Sequence, residues 1–254
     1  ALRTRRCSLK CGKWLSEWRN IPTALPQGSP LSPVCYNAYT QALAATHTRD
    51  NVRLLTFADD ISIVVWHKDV TDLVACGQET IDSVRSVCES LDMVINPRKA
   101  TVTVFSKRHE EPHYPPLFYG DVAIPYVESV RLLGITLDSR LNFNAHVDQI
   151  HSRCLRVTST LKAAFSRGVD LGRLTQLYCS LIRSRITYGL EMINPTINSL
   201  TKLDRIQNAA MRLISGCPRD TPLAALRFMF DLPSVAELHE RMRAKAITRI
   251  AADQ

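Results

Sequence analysis

The sequence predicts an α+β protein, a first part that mixes strands with helices followed by an all-helical part. Three observations predict it. Up to about Asn142, β-favouring apolar runs such as "VRLLTFADDISIVVW" alternate with stretches of helical period. Beyond Asn142 strand patterns stop and amphipathic helical patterns follow one another. The 254 residues are 45% hydrophobic and 22% charged, which is enough apolar material for one large domain or two modest ones.

The elements follow in order. Residues 1–20 carry Arg3, Arg5, Arg6, Lys10, Lys13 and Arg19 against Glu17 alone, interleaved with Leu9, Trp14, Leu15 and Trp18, and read as strand or loop. "LPQGSPLSP", Leu25 to Pro33, is a bend before a helix. Pro26 and Gly28 fix the bend, Ser32 suits an N-cap and Pro33 a first helical position. Leu31, Val34, Cys35, Ala38, Tyr39, Ala42 and Leu43 then recur at helical spacing. Two strands are expected over about 52–58 and 61–66. They are apolar on both faces, as in a sheet covered on at least part of each side.

A helix over 71–91 is marked by Leu73, Gly77, Thr80, Ile81, Val84, Val87, Cys88 and Leu91. "INPRKATVTVF" reads as a turn into a strand over Thr101–Phe105, "RHEEPHYPP" as a polar loop, and short strands surround "VRLLGITLD". The helical part has one stripe through Val147, Ile150, Cys154, Val157, Leu161 and Ala164, and another through Leu174, Leu177, Tyr178, Leu181, Ile182 and Ile186. A third passes through Leu203, Ile206, Ala210, Leu213 and Ile214 and stops near Gly216–Pro218. A last helix lies between Ser234 and Ala252.

A net charge of +8 favours polyanionic partners. No apolar run approaches the roughly 20 residues of a membrane span. The Arg-rich start lacks the apolar core of a signal peptide, so an intracellular protein of cytoplasm or nucleus is expected rather than a secreted one. The 8 cysteines are scattered. Cys7 and Cys11 have no second Cys or His pair at zinc-finger spacing, and reduced structural thiols are expected.

Asp59 and Asp60 stand at the join of the two apolar strands. Two carboxylates held close repel unless one is protonated or a cation lies between them, and hard Mg²⁺ takes oxygen ligands of this kind. On the residues alone a solvent-exposed turn is the first reading of the pair. The "PQG" bend taken alone reads first as a capped turn before a helix. The order is more specific than its parts: PQG, helix, strands with "FADD" at their join, helix, Asn-Pro-Arg-Lys into a strand, then Leu-Gly.

That order resembles the palm of reverse transcriptases, most closely those of non-LTR, LINE-like retrotransposons of the Jockey kind. The matching stretches are "LPQGSPLSP", "FADD", "INPRKATVTVFS" and "RLLGITLD", continued by "SLIRSRITYGLE" and "LDRIQNAAMRLISGCPRDTPLAAL". One departure is Ala24–Leu25, where the family has glycine and then an aliphatic residue.

The resemblance implies a partial polymerase palm over 1–142, an antiparallel sheet with packed helices and a primer-grip-like hairpin. A helical thumb and C-terminal extension over 143–254 would follow. The implied activity is RNA-directed DNA polymerisation by two-metal nucleotidyl transfer, with Mg²⁺ as cofactor and Mn²⁺ able to substitute. Asp59 would be a direct metal ligand and Asp60 a more peripheral one. Pro26, Gln27, Gly28 and Ser29 would support template and nucleotide. Lys99 would stand near the leaving pyrophosphate, or be an ordinary surface lysine. Leu133 and Gly134 would grip the primer end, or be a packing turn. Partners would be an RNA template, a DNA primer and a deoxynucleoside triphosphate, with no membrane.

The family's third carboxylate and basic fingers have no counterpart before Leu25, where the acidic residue is Glu17 in an unlike context. The missing N-terminal half of the same polyprotein is therefore an expected partner, and the piece alone is expected to be inactive. The alternative is a non-catalytic nucleic-acid-binding relic of such an element. A metal-dependent nuclease built on the Asp pair leaves the helical part unexplained.

Overall fold

The computed structural model describes residues 5–21, 25, 28–46, 49–106 and 113–252. Pro26 and Gln27 lie outside them, as do Arg3, Ala24 and most of the polar loop at 108–116. The chain divides into two compact units, Ala1–Ala100 with Pro112–Pro125 and Thr101–Glu111 with Tyr126–Gln254. Mixed α and β structure is present, as expected. Among the described residues the strands form separate two-stranded antiparallel ribbons rather than one sheet.

The first unit opens with an antiparallel arm. Strand β1 (Arg5–Cys7) pairs with β4 (Arg19–Ile21), and β2 (Lys10–Cys11) with β3 (Trp14–Leu15). Helix α1 (Ser32–Tyr39) follows, and Ser32 is its first residue rather than its cap. A break at Thr40 leads into the single turn α2 (Gln41–Ala44). The stripe expected to be core is mostly uncovered: Leu43 is buried, whereas Leu31, Val34 and Tyr39 are exposed.

Strands β5 (Val52–Phe57) and β6 (Asp60–Val65) pair from Val52↔Val65 to Phe57↔Asp60. Alternation sends Leu54, Ile61 and Ile63 onto Leu43, Val84 and Cys88. The opposite face presents Leu55, Phe57, Val64 and Trp66 to solvent, with the Arg53 guanidinium 5.4 Å from the Trp66 ring centre. The ribbon is therefore covered on one face, not on both as its composition suggested.

Helix α3 (Val70–Ser90) matches the predicted segment and buries Cys76, Gly77, Thr80, Ile81, Val84 and Cys88. Its start is fixed by Asp69, whose carboxylate accepts the amide hydrogens of Thr71 (2.8 Å) and Asp72 (3.1 Å). These bonds hold the Asp69 carboxyl below its ordinary range. A single 3₁₀ turn at Pro97–Lys99 is capped by Asn96. Ribbon β7 (Leu117–Tyr119) with β8 (Val122–Ile124) completes the unit. The strand expected over Thr101–Phe105 is not formed; that stretch, in the second unit, makes one parallel bridge, Val102 to Tyr126.

In the second unit ribbon β9 (Ser129–Leu132) with β10 (Ile135–Asp138) precedes helix α4 (Asn144–Ser166). Helix α5 (Leu171–Tyr178) continues through a π-turn at Cys179–Arg183 into α6 (Ser184–Thr187). Leu174, Tyr178, Ile182 and Ile186 recur every four residues and all are buried. An α-helix drifts by about 40° over each four-residue step. The π-turn takes more residues per turn and gives part of that drift back, which keeps the stripe on one face.

Helices α7 (Ile197–Ser215), α8 (Leu223–Phe230) and α9 (Val235–Ala252) complete the unit. Helix α7 ends at Gly216, whose φ of +67° is the left-handed stop expected there. Helix α9 starts with a reciprocal cap: Ser234 Oγ accepts from the Glu237 amide and Glu237 Oε2 from the Ser234 amide. All the helices contribute to one core, from Val147 and Cys154 through Tyr178 and Leu203 to Leu226 and Val235. Inside it Tyr178 Oη donates to Gln207 Oε1 at 3.0 Å, and Gln207 Nε2 donates to the Pro233 carbonyl at 2.7 Å.

Asp204 joins three helices. It accepts from Arg227 at 2.6 Å and from the Val235 amide at 3.0 Å. Asp204→Ala strips the partner from a mostly covered guanidinium and from a helix-start amide. It should lower unfolding free energy by about 2–4 kcal/mol in urea titration. Buried His146 accepts the Thr136 amide hydrogen at Nδ1, and its Nε2 has no partner among the described residues. Burial pushes its pKa down, with Arg153 and Arg131 adding to the effect. The unfolded histidine takes up a proton below about pH 6.5, which the folded one resists. Stability should thus be full above that pH and decline as pH falls below it, and the decline should flatten in His146→Gln.

Candidate active site

The tip of ribbon β5–β6 is a two-residue turn, Ala58 and Asp59, because Phe57 pairs with Asp60. Ala58 has φ +51°, the left-handed first position of a primed hairpin turn. A Cβ there costs about 1 kcal/mol that glycine avoids. Asp59 and Asp60 are both exposed at this tip. Alternation sets Asp60 on the uncovered face with Phe57 and Leu55, and Asp59 in the turn itself.

Tyr36 on α1 is a neighbour that sequence reasoning missed. Its phenol is pushed above the ordinary tyrosine range, first by burial and then by the negative charge of Asp59. Tyr39, one turn on, donates to the Leu91 carbonyl and ties α1 to the end of α3. The helix that follows the PQG segment is thus tied to the end of α3, within electrostatic range of Asp59. Gly28 of that segment has φ +82°, none of the described residues comes within 4 Å of where a Cβ would stand, and Ser29 is half-buried.

Lys99 is exposed at the end of its 3₁₀ turn, and no ion pair among the described residues joins it to Asp59 or Asp60. Leu133 and Gly134 form the two-residue turn of ribbon β9–β10, at φ +45° and +89°, in the second unit. No cluster of three His, Cys, Asp or Glu side chains is assembled among the described residues. The donor set at the tip still fits Mg²⁺, which is commonly held by one or two carboxylates with water and substrate phosphates completing the shell.

Charge is unevenly spread. Residues 143–254 carry sixteen Lys and Arg against nine Asp and Glu, a net +7 of the chain's +8. No helix among the described residues is long and apolar enough to cross a membrane.

A carboxylate-tipped hairpin in an α+β unit, with a basic helical unit, defines a protein suited to hard cations and polyanions. The chain belongs to the reverse transcriptase (RNA-dependent DNA polymerase) family, which matches residues 3–137. It is 26% identical, over 98% of its length, to the probable RNA-directed DNA polymerase from transposon BS of Drosophila melanogaster. It is also 26% identical, over 85%, to the probable RNA-directed DNA polymerase from transposon X-element, and 26%, over 80%, to the RNA-directed DNA polymerase from mobile element jockey, both of the same fly. The likeness is to LINE-like reverse transcriptases. The chain spans about a quarter of the length of these curated relatives, 28%, 24% and 23% respectively. No solved structure matches.

The left-handed φ at Ala58 makes the turn testable. Ala58→Gly should stay within about 1 kcal/mol of the parent, because relief of the turn offsets the greater freedom of the unfolded chain. Ala58→Val should lose more than about 1 kcal/mol, since a β-branched residue fits φ +51° poorly. Chemical denaturation of the three proteins compares them directly.

Proposed function

We propose that the chain supplies the C-terminal part of a retrotransposon RNA-directed DNA polymerase, residues 1–142 as partial palm and 143–254 as thumb and extension. The observation that carries this is the β5–β6 tip, where a fixed register presents two exposed carboxylates on a short rigid mount. When bound there, Mg²⁺ would make a primer 3′-hydroxyl more acidic and neutralise nucleotide phosphates. Asp59 would hold the ion directly and Asp60 from its periphery. Pro26, Gln27, Gly28 and Ser29 would support template and incoming nucleotide; Gly28, with nothing close to its Cα, leaves room for a flat base.

Lys99 would bring positive charge to the leaving pyrophosphate. Leu133 and Gly134 would grip the primer end, and the basic helices would hold backbone phosphates without reading sequence. A third carboxylate and the nucleotide-holding fingers would come from the upstream half of the polyprotein. Such a protein would work inside the cell, in cytoplasm or nucleus. The second reading, nucleic-acid binding without catalysis, is favoured by the concentration of positive charge on the helical unit.

Primer extension on an RNA template in Mg²⁺ separates the two. Joined to its upstream half the chain should extend a primer, and Asp59→Asn should lower the rate by about a hundredfold or more while leaving binding intact. The chain alone should bind without extending. Extension by the chain alone would remove the need for an upstream partner. Binding without extension even in the joined protein would leave the second reading.

A further inference from the structure

Helix α4 holds ribbon β9–β10 at Thr136, through His146 and Gln149, and among the described residues one helix-end side chain hydrogen-bonds the Leu133–Gly134 turn itself. Both turn residues have positive φ, +45° and +89°, the geometry that suits Asn-Gly or Gly-Gly. Leucine at the first position is strained, and its side chain is 42% exposed, so burial does not hold it there. Strain of this kind persists where surrounding contacts over-determine it.

The contact is Tyr188, which follows the last turn of α6. Its Oη donates to the Leu133 carbonyl at 2.6 Å. Its ring lies so close to Gly134 that a Cβ there would meet Cε1 at 3.1 Å. The approach is reciprocal: a Cβ on the next residue, Gly189 (φ +68°), would meet Ile135 Cδ1 at 2.6 Å. One glycine on each segment lets ribbon and helix end come together. Tyr188 is itself 58% exposed, more than a purely core-filling ring needs to be.

We propose that Tyr188 is a positioning residue that fixes the Leu133–Gly134 turn to the helical unit, so that the Leu133 side chain meets the recessed end of a primer at a set place. This rests on the primer-grip reading of that turn. The hydroxyl, rather than the ring, carries the role, because among the described residues it is the group that bonds the strained carbonyl.

The test is Tyr188→Phe in this chain, with two labelled RNA–DNA hybrids as probes, one with a recessed DNA 3′ end and one blunt. The parent should prefer the recessed end. Tyr188→Phe should cut that preference by about threefold to tenfold, the range one neutral hydrogen bond spans, and leave blunt-end affinity and its salt slope unchanged. Leu133→Ala should lose the preference as well. An equal loss on both hybrids would mark Tyr188 as merely structural and overturn the proposal. If Leu133→Ala loses the preference and Tyr188→Phe keeps it, the proposal fails while the grip reading stands. If the parent does not distinguish the hybrids, the grip reading fails and takes the proposal with it.

Discussion

Much of this molecule follows from how few residues close its ribbons. Between β5 and β6 there are two residues, and between β9 and β10 again two. A link that short leaves no slack, so register is settled at the tip and carried along both strands. Slipping β6 by one residue would turn Ile61 and Ile63 away from Val84 and Cys88 and put Asp60 against the core. The apolar face and the placement of the carboxylates are two outcomes of one turn. The left-handed residues Ala58 and Leu133 are where that geometry is accommodated.

The two units differ in how much core they own. The helical unit closes on itself around a continuous set of Leu, Ile and Val side chains, with a polar chain from Tyr178 through Gln207 to Pro233 bonded inside it. The first unit gathers Leu43, Val84 and Cys88 under one face of a ribbon and leaves α1 and the other face uncovered. Burial is the main source of stability. The helical unit should therefore be the last part to unfold and the first unit the more easily opened.

Sequence periodicity found the long elements because their patterns are long. Helix α3 and the stripe of α4 repeat over about five turns and that of α7 over about three, and packing agreed with each. Caps at Asp69, Asp170 and Thr196 use single side chains and were not read in advance, although each residue type suits the position. The strand expected at Thr101–Phe105 has the right composition, but a strand is made by its neighbour, and among the described residues one bridge, Val102 to Tyr126, forms there. Both faces of β5–β6 are apolar in sequence; which one is covered depends on α2 and α3, which no local pattern states. Of the candidate site, the Asp pair was legible as chemistry, whereas Tyr36 was not, because the effect of Asp59 on its phenol depends on where the fold carries α1.

The π-turn at Cys179–Arg183 has a further consequence. It amounts to one residue more than an α-helix of that length requires, absorbed without breaking the rod. Deleting one residue there would rotate everything downstream by about 100° about the helix axis. Tyr188 would then swing off the Leu133 carbonyl even if each remaining residue stayed helical. The link between ribbon and helices is therefore counted in residues, not ångströms. A chain one residue shorter at this point would need a different donor for the same turn.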